Sequence, residues 1–414
     1  MELQKHKLND FLDGYGDGLH GTPAYSDDGI YFFINGNNLE NNGIQITSDT
    51  LRISEDEYQK IKRPLTNNTI LLSINGTLGK LAFYNGEKIA LGKSACFLNI
   101  RNDVDKRYIK YVLSSKEFKK YMLTVASGST IKNFAPKQAA EYEFFAPDLP
   151  TQKKIADVLS CIDDKIALNN KTNAELEYMA KTIYDYWFTQ FDFPDKNGHP
   201  YKTSGGQMVY NETLKREIPA GWKVKRLNDF GEFKNGINYD PEEIGDTKVK
   251  IINVRNITES TVFFTPEKFD ELLLKAKDIQ KYLTDDNDIF IARSGTPGAT
   301  RLLPPDQKDT IFCGFIIRFK VFEKIKKNFL FFSIKQFENQ TNTQAAGTIL
   351  KNVSQDTLKD IYLFEPPAYV LQTFNSEIST IFNLQLKTKN ENEELTKLRD
   401  YLVPLLMNGQ IEVR

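Results

Sequence analysis

Part of this sequence is written twice. Leu8-Asn9-Asp10-Phe11 returns as Leu227-Asn228-Asp229-Phe230, 219 positions on. Ile74-Asn75-Gly76-Thr77-Leu78-Gly79 meets Arg293-Ser294-Gly295-Thr296-Pro297-Gly298 at the same displacement, and so do the apolar runs before them, Ile70-Leu71-Leu72 and Ile289-Phe290-Ile291. Gly128 and Lys132-Asn133 meet Gly347 and Lys351-Asn352, and Phe145-Ala146-Pro147 meets Phe364-Glu365-Pro366. Four anchors at one displacement are hard to get by chance, and a period this long is a duplicated domain rather than a solenoid repeat. A chain of 414 residues has room for two or three domains, each able to bury its own core.

Each copy reads alike. Short β-type segments are cut by turn residues, as Ile30-Tyr31-Phe32-Phe33-Ile34 before Asn35-Gly36, matched by Val249 to Val254. An apolar run then ends in the Gly-Thr-x-Gly turn. A Pro-flanked junction, Ala146-Pro147-Asp148-Leu149-Pro150 or Glu365-Pro366-Pro367, leads into a long helical stretch. The first stretch should start at Thr151, a candidate N-cap. Its apolar residues recur in steps of four and three: Ile155, Leu159, Ile162 and Ile166, then Asn169 and Asn173, then Leu176, Ala180, Ile183 and Trp187. The second runs Phe374, Ile378 and Ile381, then Gln385, Thr388 and Asn392, then Leu395 and Leu402, with Leu398 and Leu405 beside it. Both are seams with apolar ends and a polar middle, as two antiparallel coiled-coil helices would have. Each helix covers about 35 to 40 residues, or roughly 50 to 60 Å. Pro404 should end or kink the second near its last turn. The turn-rich stretch from Phe191 to Trp222 joins the halves.

Composition narrows the function. Lys and Arg number 54 against 55 Asp and Glu, for a net charge of -1, which argues against a protein that coats nucleic acid alone. No apolar run approaches the ~20 residues that span a bilayer, and the first residues lack the apolar core of a signal peptide. Cys96, Cys161 and Cys313 lie far apart, so reduced cytosolic thiols are expected rather than disulfides or a zinc site. His6, His20 and His199 are too few to suggest a histidine-based active site.

Catalytic signatures are missing. Gly92-Lys93-Ser94 resembles the end of a phosphate-binding P-loop, but the required first glycine is Glu87. Glu365-Pro366-Pro367-Ala368-Tyr369 resembles a methyltransferase Pro-Pro-Tyr loop only superficially, and it reads as a junction before a helix. The Gly-Thr-x-Gly turns suit a β-hairpin or bulge better than a phosphate cradle. A basic stretch, Lys106, Arg107, Lys110, Lys116, Lys119, Lys120, Lys132 and Lys137, is interleaved with Tyr108, Tyr111, Phe118 and Tyr121. It fits a nucleic-acid face or, equally, amphipathic helices with a solvated basic side.

The whole layout resembles the specificity subunits of type I restriction-modification systems. The most specific strings are Phe145 to Ile155, Tyr186-Trp187-Phe188 leading to Phe191-Asp192-Phe193-Pro194, Gly198 to Gly206, Ile218 to Trp222, and Leu405 to Ile411. One departure is the second junction, where the usual acidic residue before Gln372 is missing.

The resemblance implies an α+β, pseudo-two-fold chain: two similar β-rich target recognition domains separated by two long antiparallel coiled-coil helices. The expected parts are a recognition domain at 1–150, a helix at 151–190, a linker at 191–222, a second recognition domain at 223–367 and a helix at 368–414. It implies a cytoplasmic, non-catalytic subunit with no membrane association. Each domain would read one half of a bipartite double-stranded DNA target. The helices would space the domains and bind two methyltransferase subunits, and two translocase-endonuclease subunits would join them. S-adenosylmethionine, ATP and Mg would belong to those partners, with none bound by this chain and no metal site. Base and phosphate contacts would come from turn residues: Asn75, Thr77, Lys80 and Lys132 in the first domain, and Arg293, Ser294, Thr296, Arg301 and Lys351 in the second. The seam expected to carry partners is Ile155, Leu159, Ile162, Ile166, Leu176, Ile183, Trp187, Ile378, Ile381, Leu395 and Leu402. The alternative is a duplicated coiled-coil interaction scaffold that reads no DNA. A further option, an autonomous nuclease or methyltransferase, lacks motifs.

Overall fold

A computed structural model describes residues 2–40, 43–128, 132–239, 245–340 and 353–413. Its contacts divide the chain into two compact units, residues 1–168 with 392–414, and residues 169–391.

In the first unit, β1 (Gln4–Lys7) pairs with β9 (Glu143–Ala146). A four-stranded antiparallel sheet has the order β2 (Leu12–Asp17), β8 (Ala95–Ile100), β5 (Thr69–Ser73), β6 (Leu81–Phe83). A smaller sheet places β3 (Tyr31–Ile34) between antiparallel β4 (Arg52–Ile53) and parallel β7 (Ile89–Leu91). Strands β5 and β8 are buried throughout, which is why they read as unbroken apolar runs and not as alternating ones. Helices α1 (Lys106–Ser114) and α2 (Lys116–Val125) cover the larger sheet.

The second unit repeats this topology. Strand β10 (Lys223–Arg226) pairs with β18 (Tyr362–Glu365). The large sheet runs β11 (Gly231–Asn235), β17 (Ile316–Val321), β14 (Asp288–Ala292), β15 (Thr300–Leu302). The small one sets β12 (Thr247–Ile252) between antiparallel β13 (Asp270–Leu274) and parallel β16 (Thr310–Phe312). One helix, α4 (Lys327–Gln340), stands where the first unit has α1 and α2. The linker carries a hairpin, Met208–Asn211 with Arg216–Pro219.

Helix α3 spans Leu149–Tyr184 and closes in a π-helical turn, Asp185–Thr189. Thr151 is not its cap: the Asp148 carboxylate accepts from the Thr151 N–H at 3.2 Å, three residues earlier than expected. Asp is as good a cap as Thr, and Pro150 needs no N–H partner in a first turn. Helix α5 spans Ala368–Met407, and it ends within a turn of Pro404.

Within each unit the two helices run antiparallel. In the first, Ile155, Ala156 and Leu159 share a core with Leu406, with Leu402, Val403 and Met407 against it. In the second, Leu176, Ala180, Tyr184 and Trp187 join Phe374, Ile378 and Ile381 around the sheet. The polar middle is hydrogen-bonded: Asn169 donates to Glu391 at 2.8 Å, Thr388 to the Asn173 side chain at 2.6 Å, and Gln385 to the Asn173 carbonyl at 3.1 Å. Such pairs fix register at some cost in stability.

The seam residues therefore hold the chain to itself. Ile155, Leu159, Ile162, Leu176, Trp187, Ile378 and Ile381 are buried, and Ile166, Ile183, Leu395 and Leu402 half-buried. The seven buried ones are not available to a partner. The exposed apolar residues of the helices are others, among them Leu168, Tyr178, Met179, Leu384, Leu398 and Tyr401.

The basic stretch is corrected in part. Tyr108, Tyr111 and Phe118 are core residues, not a stacking face. Lys110 is buried against Asp163 at 2.5 Å, Arg107 pairs with Asp105 and Asp157 at 2.8 Å each, and Lys106 donates to the Asn67 carbonyl. Lys116, Lys119 and Lys120 stay exposed. The bland amphipathic reading fits α1 and α2 better.

Candidate nucleic-acid interface

The Gly-Thr-x-Gly segments are the hairpin turns after β5 and β14. Gly76 and Gly79 have φ of 73° and 84°, and Gly295 and Gly298 have φ of 80° and 86°. These are left-handed conformations that L side chains avoid, so both glycines are fixed by the backbone. Ser73 braces the first turn, donating to the Thr77 carbonyl at 2.7 Å and accepting from the Lys80 N–H at 2.8 Å.

Three other segments converge on that turn. Asn75 bridges to Asn133, and the Phe134 N–H donates to the Ile74 carbonyl at 2.9 Å, which brings Lys132 beside the turn. The Ile74 N–H donates to the Ser94 carbonyl at 2.9 Å. Ser94 Oγ accepts from the Gly36 N–H and donates to Asn35 Oδ1, both at 2.9 Å. One end of the domain thus gathers 35–36, 74–79, 92–94 and 132–133.

The second unit gathers the matching segments. The Arg293 N–H donates to the Phe315 carbonyl at 2.9 Å, and the Val353 N–H to the Arg293 carbonyl at 3.3 Å. A Cβ placed on Gly295 would lie 2.8 Å from Val254, so the turn meets the end of β12. Arg293 donates to the Gly314 carbonyl at 3.1 Å. Burial pushes the thiol of Cys313 beneath this turn upward, so it stays neutral.

Most of the candidate side chains are available. Among the described residues, no carboxylate pairs with Lys80, Lys132 or Arg293, and none hydrogen-bonds the side chains of Asn75, Thr77, Ser294 or Thr296. Thr77, Thr296 and Lys132 are exposed, and Asn75, Lys80, Arg293 and Ser294 half-buried. Polar groups held on rigid turns, with Arg293 alone among them donating to a described residue, suit contact with base edges and phosphates.

Arg301 does not belong with them. It is 5% exposed. Its guanidinium grips both Glu338 oxygens at 3.0 Å and donates to the carbonyls of Ile257, Ser260 and Thr300. With its donors so engaged, it ties β15 to α4 and cannot read a base. Lys351 lies outside the described residues. No group of three or more His, Cys, Asp or Glu placed to hold a metal occurs among the described residues, and no described helix is long and apolar enough to cross a membrane.

The sequence reading missed Asn35, Ser94 and Phe315. The link from β15 to β16 is two residues longer than its counterpart, so the copies run 221 apart, not 219, over this stretch. Re-registering there lays Gly92-Lys93-Ser94 over Cys313-Gly314-Phe315.

Comparison with known proteins agrees with this architecture. A family model of the type I restriction modification DNA specificity domain matches twice, at residues 4–178 and 219–397. The type I restriction enzyme MjaIX specificity subunit of Methanocaldococcus jannaschii is 27% identical over 357 residues, 85% of this chain and 79% of its own. The HindI specificity subunit of Haemophilus influenzae is 23% identical over 366 residues, 75% of this chain and 78% of its own. The crystal structure of the S subunit from M. genitalium has the same fold, with a TM-score of 0.55 at 16% identity, covering 98% of this chain and 96% of that one. With the specificity domain matched in both of its halves, this chain belongs to the family of type I restriction-modification specificity subunits.

Proposed function

We propose that each unit reads one half of a bipartite, asymmetric DNA target through its loop cluster. The observation that carries this reading is the repeated cluster itself. The two copies share sheet topology and turn glycines, but carry Asn75, Lys93 and Ser94 in one and Ser294, Gly314 and Phe315 in the other. A common frame with different side chains suits two different half-sites. Asn75, Thr77, Lys80 and Lys132 serve the first half-site, and Arg293, Ser294 and Thr296 the second.

The chain itself performs no chemistry in this reading. Two methyltransferase subunits dock on the long helices, bind S-adenosylmethionine and flip an adenine out for N6-methylation. Two translocase-endonuclease subunits use ATP and Mg. A net charge of -1 fits a subunit whose partners supply much of the phosphate contact.

The test is single-molecule mapping of methylated adenine in cells that carry this chain with its methyltransferase. The expected result is one bipartite motif with unlike halves. Exchanging residues 1–150 for another family member's should alter one half only. Methylation without a motif would favour the scaffold reading, and a change in both halves would end the modular one.

A further inference from the structure

The geometry points to Phe315 as a specificity-determining residue that recognises the methyl group of a thymine in the second half-site. This rests on the reading of the chain as a DNA specificity subunit. Phe315 is 61% exposed, yet it is not a loose surface residue. Its carbonyl accepts from the Arg293 N–H at 2.9 Å, and the Gly314 N–H donates to the Ile237 carbonyl at 2.8 Å. The ring is therefore presented by a braced turn and gains nothing from the core.

Beside it lies a groove of about 550 Å³, walled by Phe315, Val254, Ile237 and Tyr239. On its polar side Asn253 and Arg255 both donate to Asp270, so those donors are spent within the groove. Arg293 stands next to Gly314 with no carboxylate partner among the described residues. An apolar wall thus stands beside the Arg293 guanidinium. It matches one feature of the major groove, where the thymine methyl is the apolar element among hydrogen-bonding edges. The first unit has Lys93 and Ser94 at the matching turn, with Ser94 engaged by Asn35 and Gly36. A hydroxyl stands there in place of the ring, so the two half-sites should differ in this respect.

The experiment uses the complex of this chain with its methyltransferase subunits and a duplex bearing the mapped target. Each thymine is replaced in turn by deoxyuracil, which removes only the methyl. For the unaltered complex, one uracil in one half-site should weaken binding about three- to tenfold, the scale of one buried methyl. Phe315→Ser should bind thymine and uracil equally there and keep the other half-site unchanged, while Phe315→Leu should restore part of the preference. Uracil tolerated at every position, a half-site without thymine, or a Phe315→Ser complex with unaltered uracil sensitivity would overturn the assignment. If the unaltered complex shows no sequence preference at all, the specificity reading falls with it; if it binds its motif specifically, only Phe315 is rejected.

Discussion

Asp163 and Phe382 occupy the same place in the two copies, 219 positions apart, yet one is a buried carboxylate and the other a buried ring. Asp163 accepts from Lys110 at 2.5 Å, Tyr111 at 2.8 Å and Arg399 at 3.0 Å, so α1, α3 and α5 meet on one carboxylate. The matching positions in the second unit are Phe331, Phe332 and Ala180. There Phe382 packs on Phe331 and Phe332 with ring centroids 6.2 and 6.0 Å apart. One joint between domain and helices is ionic and the other apolar.

Removing the shared carboxylate takes from the buried Lys110, and from Arg399, the charge that offsets their desolvation. Asp163→Asn should therefore cost about 3–5 kcal/mol of stability. Replacing the set by its counterpart (Lys110→Phe, Tyr111→Phe, Asp163→Phe, Arg399→Ala) should lie within about 2 kcal/mol of the original, or above it. Urea unfolding of both variants checks this, and a quadruple variant weaker than Asp163→Asn would contradict it.

Two buried carboxylates should respond to acid in opposite directions. Burial alone would raise Asp163, but the Lys110 charge and the bonds from Lys110, Arg399 and Tyr111 hold it below the usual range. Its contribution is present above the unfolded value and lost as pH falls through the folded one. Burial pushes Asp288 up to about 6, because Arg318 Nε is 3.8 Å away, too far for a hydrogen bond. That group's contribution is complete below the unfolded value near 3.8 and is lost as pH rises through about 6. Asp288→Asn should thus gain on the unaltered protein between pH 4 and 7, by on the order of 3 kcal/mol at ~1.4 kcal/mol per unit. Denaturant midpoints across that range would show the gap widening; a constant gap would refute it.

Arg293 and Arg301 should separate binding from folding. Arg293→Ala should weaken or relax the second half-site by about 1–3 kcal/mol if it makes a bidentate base contact, with little change in melting. Arg301→Ala should lower the melting temperature, since it takes the guanidinium from a half-buried Glu338, leaving it Lys335, and removes the donor to three carbonyls. Parallel DNA-binding and thermal-melting measurements would distinguish them.

One added heptad in each helix, after Leu168 and after Glu391, falls between the two units and leaves the contacts within each in place. It lengthens each helix by about 10.5 Å. The target spacer should grow by about three base pairs, at ~3.4 Å each. An unchanged spacer in a methylation map would show that the helices do not set it.

The duplication, the alternation of strands and turns, and both long helices could be read from residues alone, because each rests on local periodicity or on repeated strings. The turn glycines at 76, 79, 295 and 298 were legible for the same reason. What escaped depended on tertiary partners. Arg301 looks like a turn cation until Glu338 closes on it. Lys110 looks solvated until Asp163 arrives from a helix 53 residues later. Phe315 was hidden by a two-residue insertion that broke the displacement used to align the copies.

The first unit is assembled from two stretches of chain, 1–168 and 392–414, with all of 169–391 between them. During synthesis, Ile155, Leu159 and the Asp163 carboxylate emerge long before Leu406 and Arg399, which complete their surroundings. The second unit can close as a continuous segment, whereas the first must wait with an unfinished apolar face. A ribosome stalled or stopped near residue 390 would release a chain whose later half is folded and whose earlier half still presents that face to chaperones and proteases.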